Sequence, residues 1–153
     1  MFFVKVVLLK ETLGNANTKL CEVYQISAAT QFDFDLVQLN GTKIGTLNEY
    51  SESYLSLNLL NLPFELKKLA TADRFNDSMD DYKLLTEELN ADIRDMEGGA
   101  IVQAAYAASL PVYSVKAISD VAGSGSTTEQ YLANKDKALV NLKKALPSIF
   151  EKL

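Results

Sequence analysis

The chain has 153 residues, of which 48% are hydrophobic and 23% charged, and its formal net charge is −5. This composition is typical of one folded globular domain with a sizeable core and excludes a disordered chain. Arg74 and Arg94 are the only arginines and the lysines are scattered, so the basic stripe that a nucleic-acid backbone requires is missing and we expect no nucleic-acid partner.

The reactive residue types narrow the chemistry further. The chain contains no histidine, which excludes histidine-based triads and histidine metal sites, and we expect neither a metal nor another cofactor. Cys21 is the only cysteine and is expected to be a buried small apolar residue. The apolar residues 1–9 are too few to cross a membrane and lack the features of a signal peptide. We therefore expect a cytoplasmic protein without a membrane partner.

The first half of the chain is predicted to consist of strands separated by turn-rich segments. Short apolar runs with β-branched and aromatic residues predict strands at residues 2–9, 20–29 and 64–71. Turn residues predict loops at 13–19 and 31–48, the second containing the strong turn signal Asn40-Gly41. The leucine spacing within 51–61 is compatible with a short helix that Pro63 ends.

Helices and strands alternate in the second half. Helices are predicted at residues 79–89, 98–109 and 126 to about 146, and strands at 91–97 and 112–118. The last helix opens with a capping box between Ser126 and Glu129. This alternation predicts a single α/β domain over residues 1–153, with a largely parallel sheet and right-handed crossovers.

Acidic residues stand at the ends of two predicted strands, where α/β proteins bind ligands. Asp120 follows strand 112–118 together with Ser119, and Glu97 follows the other strand together with Met96. We expect both carboxylates on one rim of the sheet. The alternatives are that Asp120 caps a turn, and that Glu97 is an exposed residue favoured by the helix dipole. Phe75 follows a third strand, as a core residue or as a ring that stacks on a flat heterocycle.

The spacing of these residues does not identify a reaction, and a resemblance to a known family adds that information. Residues 94–101 (RDMEGGAI) and 116–122 (KAISDVA) occur in order around a predicted helix and strand. They resemble two motifs of the 5'-methylthioadenosine/S-adenosylhomocysteine nucleosidases, which belong to the purine nucleoside phosphorylase superfamily. Residues 70–77 (ATADRFND) are similar to the loop that carries the family's base-stacking phenylalanine. The resemblance covers about residues 20–153 and implies a three-layer α/β fold around a central, mostly parallel or mixed sheet.

The resemblance also implies roles for single residues. Asp120 is expected to protonate purine N7 of an adenine nucleoside, and Ser119 to orient that carboxyl group. Glu97 is expected to accept hydrogen bonds from the ribose hydroxyls, and Met96 to pack on the sugar. The ring of Phe75 is expected to stack on the base, and the backbone of Asn76 to contact its edge.

The N-terminal part departs from the family. Members are longer there, so their first strands and the glutamate that activates the attacking water are expected to be missing. Glu11 does not lie in the matching motif, and residues 10–15 replace a Ser-Ala-Gly type loop. Phe32 or Phe34 stands where a histidine is usual. An incomplete sheet leaves an exposed edge unless a partner subunit or the remodelled N-terminal part covers it, and we expect a homodimer.

Three functions are therefore open. The first is hydrolysis of the N-glycosidic bond of 5'-methylthioadenosine or S-adenosylhomocysteine, which releases adenine. The second is a nucleoside phosphorylase, which typically needs an arginine near the position of Thr30. The third is a non-catalytic, storage-like homologue that binds purine nucleosides but lacks the nucleophile site.

Overall fold

The computed structural model of the chain describes residues 6–74 and 78–153, with side chains described for 13–74 and 78–153. The strands are β1 (Val6–Gly14), β2 (Val23–Gln31), β3 (Leu55–Ser56), β4 (Leu66–Thr71), β5 (Ile93–Asp95) and β6 (Val112–Val121). The helices are α1 (Val37–Asn40), α2 (Met79–Lys83), α3 (Gly98–Ala107) and α4 (Thr127–Lys152), and a π-helical turn, Leu84–Glu88, follows α2 directly.

Five strands close into a ring. β2 pairs with β4, β4 with β5, β5 with β1 and β1 with β6, while β6 also pairs with residues 23–25 of β2. The sheet is mixed, because β1–β6, β2–β4 and β4–β5 are parallel whereas β1–β5, β2–β6 and β2–β3 are antiparallel. The α/β fold with a mixed sheet is thus confirmed.

Ring closure changes the expectation for the sheet edge. Among the described strands, only the two-residue β3 lies outside the ring. A closed ring pairs the strand edges internally and needs no second subunit to cover them. The homodimer stays a prediction, and an exposed edge no longer supports it.

The helices α3 and α4 pack on opposite faces of the sheet, α3 mainly on β4 and β2 and α4 mainly on β6. Ile118 belongs to a buried cluster that includes Val102 of α3, whereas Val115 packs with Leu142 and Ile149 of α4. Residues an odd number of positions apart point to opposite faces of a regular strand, so the sheet is sandwiched between the two helices. This is the three-layer arrangement that the resemblance implies.

The helix predicted at residues 51–61 is wrong. The segment is extended: Leu55 belongs to β3, Leu57 N–H donates to the Ser27 carbonyl, and Asn58 N–H donates to the Val112 carbonyl. Leu55 and Leu57 are buried while Ser56 between them is exposed, which is the two-residue period of a strand. Pairing with β2 determines the structure of this short leucine-rich segment.

Several predicted boundaries also shift, among them the C-terminal ends of the last helix and the last strand. The last helix continues past Pro147 to Lys152, because Ile149 is fully buried and its packing outweighs the loss of one backbone donor. β6 continues to Val121, so Ser119 and Asp120 lie within the strand and do not follow it. No helix of the described residues is both long and apolar enough to span a bilayer.

Candidate active site

Ser119 and Asp120 lie in contact near the end of β6. Thr12 pairs with Ile118 and Leu13 with Asp120, so Ser119 is an extra residue opposite β1. Such a bulge redirects side chains at the end of a strand. Both residues are buried, and Ser119 Oγ donates a hydrogen bond to Asp120 Oδ1 over 2.5 Å. The predicted acid is therefore held by the hydroxyl that was predicted to orient it.

Asp95 anchors the end of β5, one residue before Met96. Its carboxylate accepts hydrogen bonds from Thr71 Oγ1 at 2.6 Å, from Lys116 Nζ at 2.6 Å and from the Gly98 N–H at 3.0 Å. The side chains of Lys116 and Asp95 are 0% and 2% exposed, so this ion pair is shielded from water. The added hydrogen bonds offset the cost of burying two charges. They tie β4, β5, β6 and α3 together.

Glu97 and Met96 connect this anchor to α3. Glu97 is half-buried at the N-cap position of α3, and Met96 is 42% exposed. A Cβ on Gly99 would lie 2.9 Å from Thr71 Cβ, and one on Gly98 would lie 2.6 Å from Asp95 Oδ2. The two glycines thus allow the helix to approach the sheet closely, and this approach fixes the backbone on which Glu97 stands.

The ends of β5 and β6 meet at β1, but not for the reason expected from a parallel sheet. Leu13 pairs with Asp120 on one side and with Arg94 on the other. β5 is antiparallel to β1, so the two carboxyl ends do not share a rim by strand direction. They approach because β5 is short and pairs only with the last residues of β1. Two strand spacings separate the Arg94 and Asp120 backbones, about 10 Å.

Phe75 and Asn76, predicted to contact the base, lie outside the described residues. Their described neighbours are well fixed. The Arg74 carbonyl accepts a hydrogen bond from Arg94 Nη2 at 3.0 Å, and Ser78 caps α2 by accepting from the Asp81 N–H. The flanks of the segment are therefore attached to β5 and to α2.

A cavity of about 170 Å³ lies beside these elements. Its lining residues come from β1, β5, the start of α2 with the turn after it, and the loop after β6; they are Leu13, Ser78, Met79, Tyr82, Leu85, Arg94, Ala122 and Gly123. Of the predicted site residues that the structure describes, Met96, Glu97, Ser119 and Asp120, none lines it. The cavity thus lies between the start of α2, β5 and the loop that follows β6.

Sequence reasoning missed two groups of residues. The first is the Thr71–Asp95–Lys116 network, and the second is formed by Asp81 with the two arginines. The first group could have been suspected from the sequence, since a lysine inside the apolar run 112–118 needs an anionic partner when the strand is buried. The second had none, because its members are distant in sequence.

Comparisons with known proteins concern the family and the fold of the chain. The sequence matches the phosphorylase superfamily over residues 5–151. No curated protein sequence matches the chain. The apo structure of Arabidopsis thaliana 5'-methylthioadenosine nucleosidase is similar at a TM-score of 0.78 and 20% identity, over 95% of this chain and 60% of that one.

Two Helicobacter pylori structures are also similar. The 5'-methylthioadenosine/S-adenosylhomocysteine nucleosidase, complexed with a substituted pyrrolidin-3-ol that carries an amino-pyrrolopyrimidine, gives a TM-score of 0.85 at 16% identity. Futalosine hydrolase gives 0.86 at 18%. Each alignment covers 97% of this chain and 68% of the other, so this chain spans roughly two thirds of their length. Because the family match extends over nearly all of the sequence, the chain belongs to the phosphorylase superfamily.

Proposed function

We propose that the chain carries the adenine-recognition and leaving-group half of a nucleosidase that hydrolyses the N-glycosidic bond of 5'-methylthioadenosine or S-adenosylhomocysteine. The observation that carries this proposal is the buried Asp120 carboxyl group, bound by the Ser119 hydroxyl at the end of β6. The family match and the nucleosidases among the similar structures support it.

Asp120 acts on the leaving group. Cleavage of the glycosidic bond leaves electrons on the purine, and a proton delivered to N7 makes adenine a neutral leaving group. Asp120 is 4% exposed, so little water competes with the base for the proton of its carboxyl group. Ser119 fixes one carboxyl oxygen and leaves the acid in a single orientation. A general acid of this kind contributes about 10²–10⁴ in rate.

Glu97 and Met96 act on the sugar. The ribose becomes positively charged, like an oxocarbenium ion, as the bond breaks, and a nearby carboxylate stabilises that charge. Glu97 also accepts hydrogen bonds from the ribose hydroxyls, while the half-exposed Met96 covers the sugar face. The rigid Asp95 network and the close approach of α3 hold this carboxylate in place.

Phe75 and Asn76 complete the proposed adenine contacts. The aromatic ring stacks on the base, and the backbone of Asn76 reads its edge. Their flanking residues Arg74 and Ser78 are attached to β5 and α2, next to the cavity that Arg94 lines. The proposed site thus has the base near β5 and the β6 loop, and the sugar toward Glu97.

The decisive experiment follows free adenine from 5'-methylthioadenosine, with and without phosphate. We expect release without phosphate, whereas release only with phosphate would assign a phosphorylase. Adenine binding in calorimetry without any release would assign the non-catalytic homologue.

The variant Asp120→Asn tests the proposed acid. We expect it to lower release by at least about 10²-fold while retaining adenine binding. Asp136→Asn, which changes an exposed carboxylate on α4, is the matched control and should behave like wild type. Normal turnover by Asp120→Asn would show that the acid is assigned wrongly.

A further inference from the structure

The turn signal Asn40-Gly41 is exposed and takes no part in the proposed chemistry. Asn40 is the last residue of α1, and Gly41 is the C-cap that follows it. Asn40 is also the only asparagine in the sequence that a glycine follows. The amide carbon of an asparagine lies close to the backbone nitrogen of the next residue. That nitrogen can attack the amide and close a five-membered ring, which makes this pair of residues chemically reactive.

Gly41 leaves the attacking nitrogen accessible. Its φ is +74°, and beyond its chain neighbours no described atom would lie within 4 Å of a Cβ built at this position. A residue with a side chain would place its Cβ directly beside the attacking nitrogen and crowd the approach to the amide. Open space around Gly41 therefore allows the Asn40 amide to reach the backbone.

Thr42 binds the Asn40 amide through two donors. Asn40 Oδ1 accepts a hydrogen bond from the Thr42 N–H at 3.1 Å and another from Thr42 Oγ1 at 2.7 Å. These bonds reach two residues ahead, so they fold the amide over the intervening Gly41 peptide. When the Gly41 nitrogen adds to the amide carbon, negative charge develops on Oδ1. Donors already placed at a developing oxyanion lower the barrier of such an addition.

The short helix α1 holds the attacking nitrogen only weakly. The Gly41 N–H donates to the Val37 carbonyl at 2.9 Å and must release this bond before it loses its proton. α1 has four residues, none of them buried, and no side chain caps its N-terminus by a hydrogen bond. Such a short helix is not stable by itself, and a turn without buried side chains opens at a small cost in free energy. Local opening therefore exposes the nitrogen while the rest of the protein stays folded.

We propose that Asn40 is a site of spontaneous deamidation in the folded protein and that Thr42 promotes the reaction. The Gly41 nitrogen gives its proton to hydroxide and bonds to Asn40 Cγ. The bond from Cγ to the side-chain nitrogen then breaks, and this nitrogen takes a proton from water and leaves as ammonia. Water opens the resulting succinimide at either carbonyl group and gives aspartate or isoaspartate.

The modification changes both charge and backbone at the end of α1. Each conversion adds one negative charge to a chain whose formal net charge is −5. The isoaspartate product also lengthens the main chain by one carbon directly before the C-cap Gly41. This inference does not depend on the proposed function, since it involves neither a nucleoside nor the residues assigned to its cleavage.

Mass spectrometry of the incubated, folded protein tests the proposal. Trypsin cuts after Lys19 and Lys43 and recovers Asn40 in peptide 20–43, in which it is the only asparagine. We expect this peptide to gain the mass difference between an amide and a carboxyl group, faster at alkaline than at neutral pH because the deprotonated nitrogen attacks. The exposed Asn48, which precedes a glutamate, is the internal control and should stay intact over the same time. An intact Asn40 in the folded protein would overturn the proposal.

The variant Thr42→Val separates the structure from the local sequence. It removes the hydroxyl donor, so conversion of the folded protein should slow about 3–10-fold, whereas in concentrated urea the variant and wild type should react alike. Gly41→Ala should slow the reaction in both states, because its Cβ crowds the nitrogen. An equal rate for folded Thr42→Val and wild type would overturn the role of Thr42.

The variant Ile149→Ala separates local opening from global unfolding. Ile149 is fully buried in the cluster between β6 and α4, which includes no residue of α1. Its truncation destabilises the whole domain, and we expect Asn40 to convert at the wild-type rate. A rate about 30-fold higher would show that conversion requires global unfolding, and this result would overturn the proposal for the folded protein.

Discussion

The buried ion pair between Lys116 and Asp95 gives the clearest stability prediction. Lys116→Met removes the cation and leaves a carboxylate whose side chain is 2% exposed. Breaking a buried pair from one side costs about 3–5 kcal/mol. Asp95 keeps its hydrogen bonds from Thr71 and Gly98, so we expect a loss at the lower end, about 3 kcal/mol of unfolding free energy. For a chain of this size the melting temperature should fall by about 6–12 °C.

Urea unfolding followed by circular dichroism measures this loss, with Lys137→Met as the control because that lysine is exposed on α4. Asp95→Asn and the double variant complete a double-mutant cycle. The two residues are in contact, so the cycle should give a coupling energy of about 1 kcal/mol or more. A Lys116→Met protein within about 0.5 kcal/mol of wild type, or no coupling, would refute the reasoning.

Close packing at Gly99, the hydrogen bond of Ser119 and the burial of Tyr54 give three further predictions. Gly99→Ala should lower the unfolding free energy by about 1–3 kcal/mol in urea, because its Cβ would lie 2.9 Å from Thr71 Cβ; wild-type stability would contradict this close packing. Ser119→Ala should slow adenine release less than Asp120→Asn does, since it removes the orienting hydroxyl and keeps the acid; an equal loss would contradict that order. Burial raises the pKa of Tyr54, so the folded state disfavours its ionised form and stability should fall as pH rises above about 10. Tyr54→Phe should flatten that alkaline loss in urea titrations, and an unchanged slope would contradict it.

The fold was predictable where local pattern and tertiary packing agree. The apolar runs around Ile26, Leu69 and Val115 all became strands, and the small residues after Glu97 became α3. The helix prediction for residues 51–61 was wrong because a short run of leucines fits a helix and a strand equally well. Pairing with β2 decides between them. Ring closure was not predictable, since it depends on the pairing of β6 with residues 23–25 of β2, which are far from β6 in sequence.

The candidate site was predictable only in part. The motif around Asp120 and the run after Asp95 indicated two ends of strands, and the shared pairing with Leu13 places those ends near each other. The two strands were expected to run in the same direction, but β5 is antiparallel to β1 whereas β6 is parallel to it. Arg94 could not be assigned from sequence, because its partners lie 13 and 20 positions away, at Asp81 and Arg74.

A crystal structure with adenine bound tests the central claim most directly. The claim is that the buried acid of β6 and the carboxylate before α3 serve one nucleoside. We expect the Asp120 carboxyl group within hydrogen-bond reach of N7, about 2.6–3.2 Å, and Glu97 on the side of N9 where the ribose attaches. Adenine bound elsewhere, or Asp120 and Glu97 facing separate cavities, would contradict the account.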